Sequence, residues 1–297
     1  PTSTERVVQT AVLLVLEPIF GADLSPKQYA YRPDRGAHDA IRAVHSLLNT
    51  GHTQVIDADL SGYFDSIPHA ELLQCVARRI VDRHILRLIK AWLVAPVDED
   101  DGKGGTTRSR ANRDSKRGTP QGSPISPLMS NLYMRRFVEG WRRLGFEQRW
   151  AAHIVNYADD FVICCKRGAP EAMAAMRRVM DKLKLTVNEE KTHLCEIPRE
   201  RFDFLGYTFG RCYSRKDGHA YIGTRPSKKS IKRMVSSISE VADRRTGLLD
   251  AEEIVGRLNR KLTGWANYFC LGPVSPAYRL IDTHVCQRLR RWLCKKH

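Results

Sequence analysis

Two hydrophobic periods alternate along the 297-residue chain and divide it into predicted elements. Apolar positions three or four apart predict a helix over 5–20, ending near Pro18, and another over 39–48. The same period predicts one helix opened by Ile67-Pro68-His69 and running to about Leu93, with Leu72, Leu73, Val76, Ile80, Ile85, Leu88 and Ile89 inward. A further helix starts at about Pro127, where proline suits a first turn. Residues 170–183 form an amphipathic helix whose Met173, Met176, Val179, Met180 and Leu183 are core positions. Strict alternation predicts a strand running into Asp59, two strands flanking Asp159-Asp160, a short strand and turn over 185–191, and a strand over 201–209. The polar, glycine-rich stretch 96–117 reads as a long loop or a flexible hairpin. Gly223 and Pro226 mark a boundary. Beyond it, three helices are predicted over 227–244, 250–269 and 276–295, the second with Asp250 and Glu253 as an acidic capping pattern.

The order strand, helices, hairpin, helix, strand predicts an α+β fold, a split βαβ antiparallel sheet backed by helices. Its length suits two domains or one large one. No internal repeat is visible.

The chemistry gathers at V-N-Y-A-D-D-F-V-I, residues 155–163. Apolar runs lead in through Val155 and Tyr157 and out through Phe161, so the Asp159-Asp160 pair reads as a tight hairpin turn. Carboxylates lifted out of an apolar sheet need neutralising, and a hard divalent cation such as Mg2+ prefers oxygen ligands. A solvated D-D turn is the plain alternative. A second stretch, V-I-D-A-D-L-S-G-Y-F-D-S-I-P at 55–68, would bring Asp59 beside that hairpin, with Asp65 six positions later. In G-T-P-Q-G-S-P, residues 118–124, Gln121 and Gly122 are placed to contact a nucleotide through amide and backbone. Tyr31, Arg32 and Arg35 sit in a proline-punctuated stretch; they either meet a template backbone or form loop surface.

Charge adds a partner. The net charge is +16, and residues 199–297 hold 21 Lys+Arg against 9 Asp+Glu, so +12 lies in the last third. Such a basic region with interspersed aromatics points to nucleic acid. Lys228, Lys229, Arg260 and Lys261 are its candidate contacts. The eight cysteines form no C-x-x-C, which argues against zinc and for a reducing cytosol. No signal peptide or membrane span is expected, and the start without methionine reads as a fragment.

The motifs together resemble a reverse transcriptase of the group II intron maturase type. D-A-D-L-S-G-Y-F-D-S-I-P-H resembles the family's motif A, and R-G-T-P-Q-G-S-P-I-S-P-L-M-S-N its motif B. Y-A-D-D resembles motif C, L-T-V-N-E-E-K-T motif D, and F-L-G-Y-T-F the strand after it. G-R-L-N-R-K-L-T-G-W-A-N-Y-F, residues 256–269, resembles the maturase or thumb domain. The resemblance implies a right-hand polymerase palm over 55–222, partial fingers over 1–54 and a helical thumb or maturase domain over 223–297. It implies Asp59 and Asp159 as metal ligands with Asp160 beside them, and the Leu60 carbonyl completing a shell of two Mg2+, or Mn2+. Phe64 would exclude a ribose 2′-OH, Gln121, Gly122 and Tyr157 would line the nucleotide site, and Lys191 would protonate the pyrophosphate leaving group. Asp65 would support its loop. The resemblance starts after the family's first fingers strands and stops short of the endonuclease region of some members. Expected partners are an RNA template, a primer duplex, dNTPs and a structured intron RNA, in a bacterial cytoplasm. A non-catalytic RNA-binding maturase or scaffold, or a related retroelement or defence enzyme, are the competing readings.

Overall fold

The computed structural model describes residues 2–100, 106–109, 111–214 and 216–296. The chain divides into two compact units, 1–195 and 196–297. The first unit begins with α1 (Ser3–Gly21), capped by Thr2 and Glu5 in a reciprocal capping box. The helix predicted over 5–20 is observed, and its end passes Pro18 to reach Gly21. A proline this close to a helix end removes one hydrogen bond, and burial of Leu16 and Phe20 outweighs that loss. Next come α2 (Ala37–Asn49), β1 (Gln54–Ala58), the single turn α3 (Tyr63–Ser66), α4 (His69–Ala77) and α5 (Arg83–Leu93). The long helix expected over 68–93 is therefore two. Asp82 makes the break, its carboxylate accepting from His84 N at 2.7 Å and Ile85 N at 3.0 Å as the cap of α5.

The hairpin alternative for 96–117 is the one observed: β2 (Val97–Asp100) pairs antiparallel with β3 (Thr106–Ser109), and α6 (Ala111–Ser115) follows. The part of that reading at 101–105 and 110 lies outside the described residues. The unit closes with α7 (Ser126–Arg143), α8 (Phe146–Trp150), β4 (His153–Tyr157), β5 (Asp160–Cys165), α9 (Ala169–Lys182) and β6 (His193–Glu196). The sheet order β4-β5-β1-β6 is that of a split βαβ fold. Its core is α7, whose Met129, Tyr133, Met134, Phe137 and Trp141 are fully buried, together with Met176 and Met180 of α9.

The second unit sets a three-stranded sheet beside three helices. The single strand expected over 201–209 is a hairpin, β7 (Phe202–Phe204) and β8 (Tyr207–Tyr213), turning at Leu205 and Gly206. Both turn residues have positive φ, 49° and 80°, the conformation of a two-residue hairpin loop. A third strand, β9 (Ala220–Pro226), was not foreseen: Gly223, read as a boundary, lies in its middle. The helices α10 (Lys228–Val241), α11 (Ala251–Tyr268) and α12 (Ser275–Lys296) match the three predicted ones and bury Met234, Ile238, Ile254, Leu258, Ile281 and Trp292 together. Asp250 stands at the N-cap of α11, but its side chain makes no capping bond.

One buried bond ties two predicted motifs. Tyr63, in α3, donates its hydroxyl to the Ser130 carbonyl of α7 at 2.6 Å. Burial also raises its phenol well above the ordinary tyrosine range. Tyr63→Phe leaves that contact unmade, and urea denaturation is expected to report a loss of about 1 kcal/mol.

Candidate active site

The two acidic stretches meet in the first unit's sheet. β1 and β5 pair antiparallel with Ala58 opposite Phe161, so Asp59 and Asp160 continue the register at the strand ends. The β4–β5 hairpin pairs Tyr157 with Asp160. Its two-residue turn is therefore Ala158-Asp159, and Asp160 is the first strand residue, one position away from the expected D-D turn. Ala158 takes φ 56°, a left-handed conformation costing an alanine roughly 1–2 kcal/mol. Buried Asn156 holds it there, donating from Nδ2 to the Ala158 carbonyl at 2.8 Å.

Asp59 is placed by the segment after α9. Asn188 N donates to the Asp59 carbonyl at 2.9 Å and Ser61 N to the Thr186 carbonyl at 2.9 Å. Leu60 and Val187 lie between these bonds as an isolated antiparallel bridge. Leu60 thus holds the widely spaced position, and its own N–H and C=O turn away from Val187. The Asp59 carboxylate accepts from Asn188 Nδ2 and from Lys191 Nζ, each at 3.2 Å.

Electrostatics bind the three acids into one group. The Asp160 carboxyl is pushed up to about 6 by desolvation, then by the charges of Asp159 and Asp59, with Lys191 opposing. Asp160 keeps exposed surface, which trims the desolvation part, and the like charges of Asp159 and Asp59 act in the same direction. These oxygen donors, with no thiol or imidazole among them, suit a hard divalent cation. Among the described residues no three acidic, histidine or cysteine side chains already converge at metal-ligand spacing. The sign of the proton linkage follows from the raised value. The unfolded carboxyl ionises near its ordinary value of about 4 and the folded one only near 6. Stability is therefore lost as pH rises between them, and the penalty stays in full above. Asp160→Asn is expected to raise the melting temperature of metal-free protein at pH 7 and to change it little at pH 4. Thermal melts in chelator at both pH values check this.

A cavity of about 510 Å3 is lined by Arg6, Tyr31, Phe64, Gln121, Gly122 and the prolines that follow. The loop carrying Gln121 is pinned to the Phe64 segment: Thr119 N donates to the Phe64 carbonyl at 2.7 Å, and Gly118 N to the Ile67 carbonyl at 2.8 Å. Tyr31 links this cavity to the acids. Its phenol is raised by burial first, then by the charges of Asp159 and Tyr157.

Residues 1–209 match the family model described as "Reverse transcriptase (RNA-dependent DNA polymerase)". The chain belongs to the reverse transcriptase family. Residues 231–297 of this reverse transcriptase match the group II intron, maturase-specific domain. Protein YkfC of Escherichia coli (strain K12) is 31% identical over 266 residues, covering 77% of this chain and 67% of that protein. The group II intron-encoded protein LtrA of Lactococcus lactis subsp. cremoris is 24% identical over 268 residues, covering 70% of this chain and 43% of that protein. The structure of Candida albicans telomerase with a fragment of telomeric RNA shares the fold, with a TM-score of 0.50 and 11% identity over 98% of this chain and 51% of that one.

The reverse transcriptase fold distributes the sequence-predicted residues unevenly. Phe64, Gln121, Gly122 and Tyr31 line one cavity, while Asp59, Asp159, Asp160 and Lys191 form one electrostatic group. Tyr157 lies on β4 beside the acids and outside that cavity lining. Arg32 spends its guanidinium on the carbonyls of Ser25, Gln28 and Gly21, and Arg35 donates to the Pro26 carbonyl. Lys228, Lys229, Arg260 and Lys261 are exposed on α10 and α11 of the second unit, with Lys261 Nζ donating to Ser237 Oγ at 2.7 Å. Sequence reasoning missed Arg6, Asn156 and Asn188. Asn188 was legible, three positions before Lys191 in the same motif. Arg6 carried no local signal. Among the described residues no helix is long and apolar enough to cross a membrane.

Proposed function

We propose that this chain adds deoxynucleotides to a primer 3′-hydroxyl on an RNA template and that its C-terminal helical unit binds intron RNA as a maturase. The observation that carries the reading is the β1–β5 register, which sets Asp59 and Asp160 side by side at the hairpin turn, with the Phe64–Gln121 cavity beginning five residues after Asp59. In this assignment residues 1–54 form part of the fingers, the rest of the first unit the palm and helices α10–α12 the thumb; a border at 222/223 would divide β9 and is not kept. Asp59, Asp159 and the Leu60 carbonyl would hold two divalent cations, Mg2+ or Mn2+, with Asp160 beside them. Bound there, the cations would activate the attacking hydroxyl and offset charge on the phosphate.

The chain's own residues do the rest. Gln121 and Gly122 orient the nucleotide, and the Phe64 ring closes the space beside the sugar's 2′ position. Lys191 holds a proton for the pyrophosphate leaving group. Its ammonium is held at the site by the ion pair with Asp59, and a cation on that carboxylate would compete with this pair. The RNA assignment is supported by the maturase-specific match and by relatives described as group II intron-encoded proteins. All eight cysteines are free thiols, in keeping with a bacterial cytoplasm.

Primer extension on an RNA template, with dNTPs and Mg2+, tests the reading; a purified, folded chain that binds RNA yet extends no primer in either Mg2+ or Mn2+ overturns it. RNA affinity is expected to fall steeply with salt, since each neutralised phosphate adds roughly 0.7–0.9 to the log–log slope. A flat titration from low to physiological salt would remove the basic region from the binding surface.

A further inference from the structure

We infer that the three-stranded sheet of the second unit carries a docking groove for an unpaired nucleic-acid strand. The groove is a cavity of about 1030 Å3, and Arg201, Arg211, Arg225, Lys228, Tyr213 and Tyr221 are among its walls. It shares no residue with the carboxylate site or its nucleotide cavity.

The strand register builds it. Thr208 pairs with both Asp203 and Arg225, Gly210 pairs with Gly223, and Cys212 pairs with Tyr221. Alternation puts all of these on one face and puts Arg211 and Tyr213 of β8 on the other, so the cavity, lined by both sets, spans both faces of the sheet. The glycine pair leaves that face bare at its centre. A Cβ on Gly210 would come within 2.6 Å of Arg201 Cγ, and one on Gly223 within 2.8 Å of the Tyr221 ring. The missing side chains are what let the Arg201 stem and the Tyr221 ring lie across the sheet. Two glycines are an unusual choice for paired strand positions, where they forgo packing, and here they clear room for groups that reach a ligand.

The charge in the groove has no internal use. None of Arg201, Arg211, Arg225 and Lys228 has a carboxylate partner among the described residues. The acid in the lining, Asp203, accepts a hydrogen bond from the Thr208 hydroxyl. Tyr213 and Tyr221 remain 62% and 40% exposed. Unpaired cations beside exposed rings are what a single strand needs: cations follow its phosphates and rings stack on its bases. A duplex keeps its base faces stacked inside and would leave both rings idle. An acidic peptide would likewise use the cations alone.

The test is fluorescence anisotropy on the full chain with three labelled probes: an unstructured twelve-nucleotide RNA, the same sequence as DNA, and a fully paired RNA hairpin. Tyr213→Ala/Tyr221→Ala is expected to weaken binding of the unpaired probes by at least about fivefold per ring and to leave the hairpin within twofold. Tyr213→Phe/Tyr221→Phe keeps the rings and is expected to bind like the parent. Arg211→Ala/Arg225→Ala is expected to lower the log–log salt slope for the unpaired probes by roughly 0.7 per cation. The larger loss, on RNA or on DNA, identifies which strand the groove serves, and either supports the groove. Three results overturn it: unchanged affinity for both unpaired probes, an equal loss on the hairpin, or a phenylalanine variant as weak as the alanine one. All six side chains reach solvent, so circular dichroism melts near the parent's confirm that folding is intact. Because no residue is shared, failure here leaves the polymerase assignment standing, and failure of primer extension leaves the groove to be judged on its own binding data.

Discussion

Asp159→Ala is expected to lower primer extension by at least about a thousandfold while fold and RNA affinity stay near the parent's. The magnitude follows from the several kcal/mol that a correctly held catalytic cation contributes to the transition state. The selectivity follows from the position. Asp159 is a half-buried turn residue, and its carboxylate makes no hydrogen bond or ion pair among the described residues. Its removal strands no buried partner and opens no cavity, so the stability change should fall within the narrow range of surface substitutions. It also relieves part of the repulsion on Asp160, whose carboxyl should titrate closer to the ordinary range. Steady-state extension, a thermal melt and an RNA-binding isotherm on the same preparation check all three. Extension at the parent's rate would remove Asp159 from the chemistry.

Phe64→Ala is expected to raise ribonucleotide use relative to deoxynucleotide use by ten- to a hundredfold. Phe64 shares a cavity with Gln121 and Gly122, so its ring borders the space assigned to the nucleotide. A 2′-hydroxyl pressed against that ring finds no hydrogen-bond partner, which costs roughly 1–3 kcal/mol before any clash is added. The ring is also structural. It packs edge-on against Tyr63 at 5.6 Å and contributes to the core as a half-buried residue, so the melting temperature should drop. The backbone is held independently, since the Phe64 carbonyl accepts from Thr119 whatever the side chain is. Single-nucleotide extension with each sugar separates the two roles. A residue that only packs would lower both rates in proportion, and an unchanged ratio would end the sugar-gate reading while leaving the metal site untouched.

The comparison of these two residues shows what kind of information each level held. Asp59, Asp159 and Gln121 were legible as candidates because each sits in a short stretch whose local pattern already implies its geometry, and Phe64 was named by the resemblance to reverse transcriptases. A strand that ends in an acid, a two-residue hairpin and a loop stiffened by prolines need only local rules. The three C-terminal helices were legible for the same reason: long amphipathic periods carry their own evidence. Local signals were also present where the reading went astray. Asp82 is a capping residue that divides 68–93 into two helices, and Leu205-Gly206 is a hairpin turn inside what looked like one strand.

What sequence alone left undecided depended on partners distant in the chain. Pro18 stays helical because Leu16 and Phe20 are buried by elements far along the chain, an energy no local rule contains. Arg32 is used up on three carbonyls, whereas Tyr31, its neighbour, faces a cavity near Asp159; both look alike as sequence. Asn188 meets Asp59 across a separation of 129 residues. Gly223 reads as a break until pairing with Gly210 places it inside β9. The sequence by itself determined the class of fold and named the candidate acids. Tertiary structure decided which side chains are free to act, because that depends on whether a polar group's hydrogen bonds are already taken within the fold, and this is set by neighbours the chain brings together only on folding.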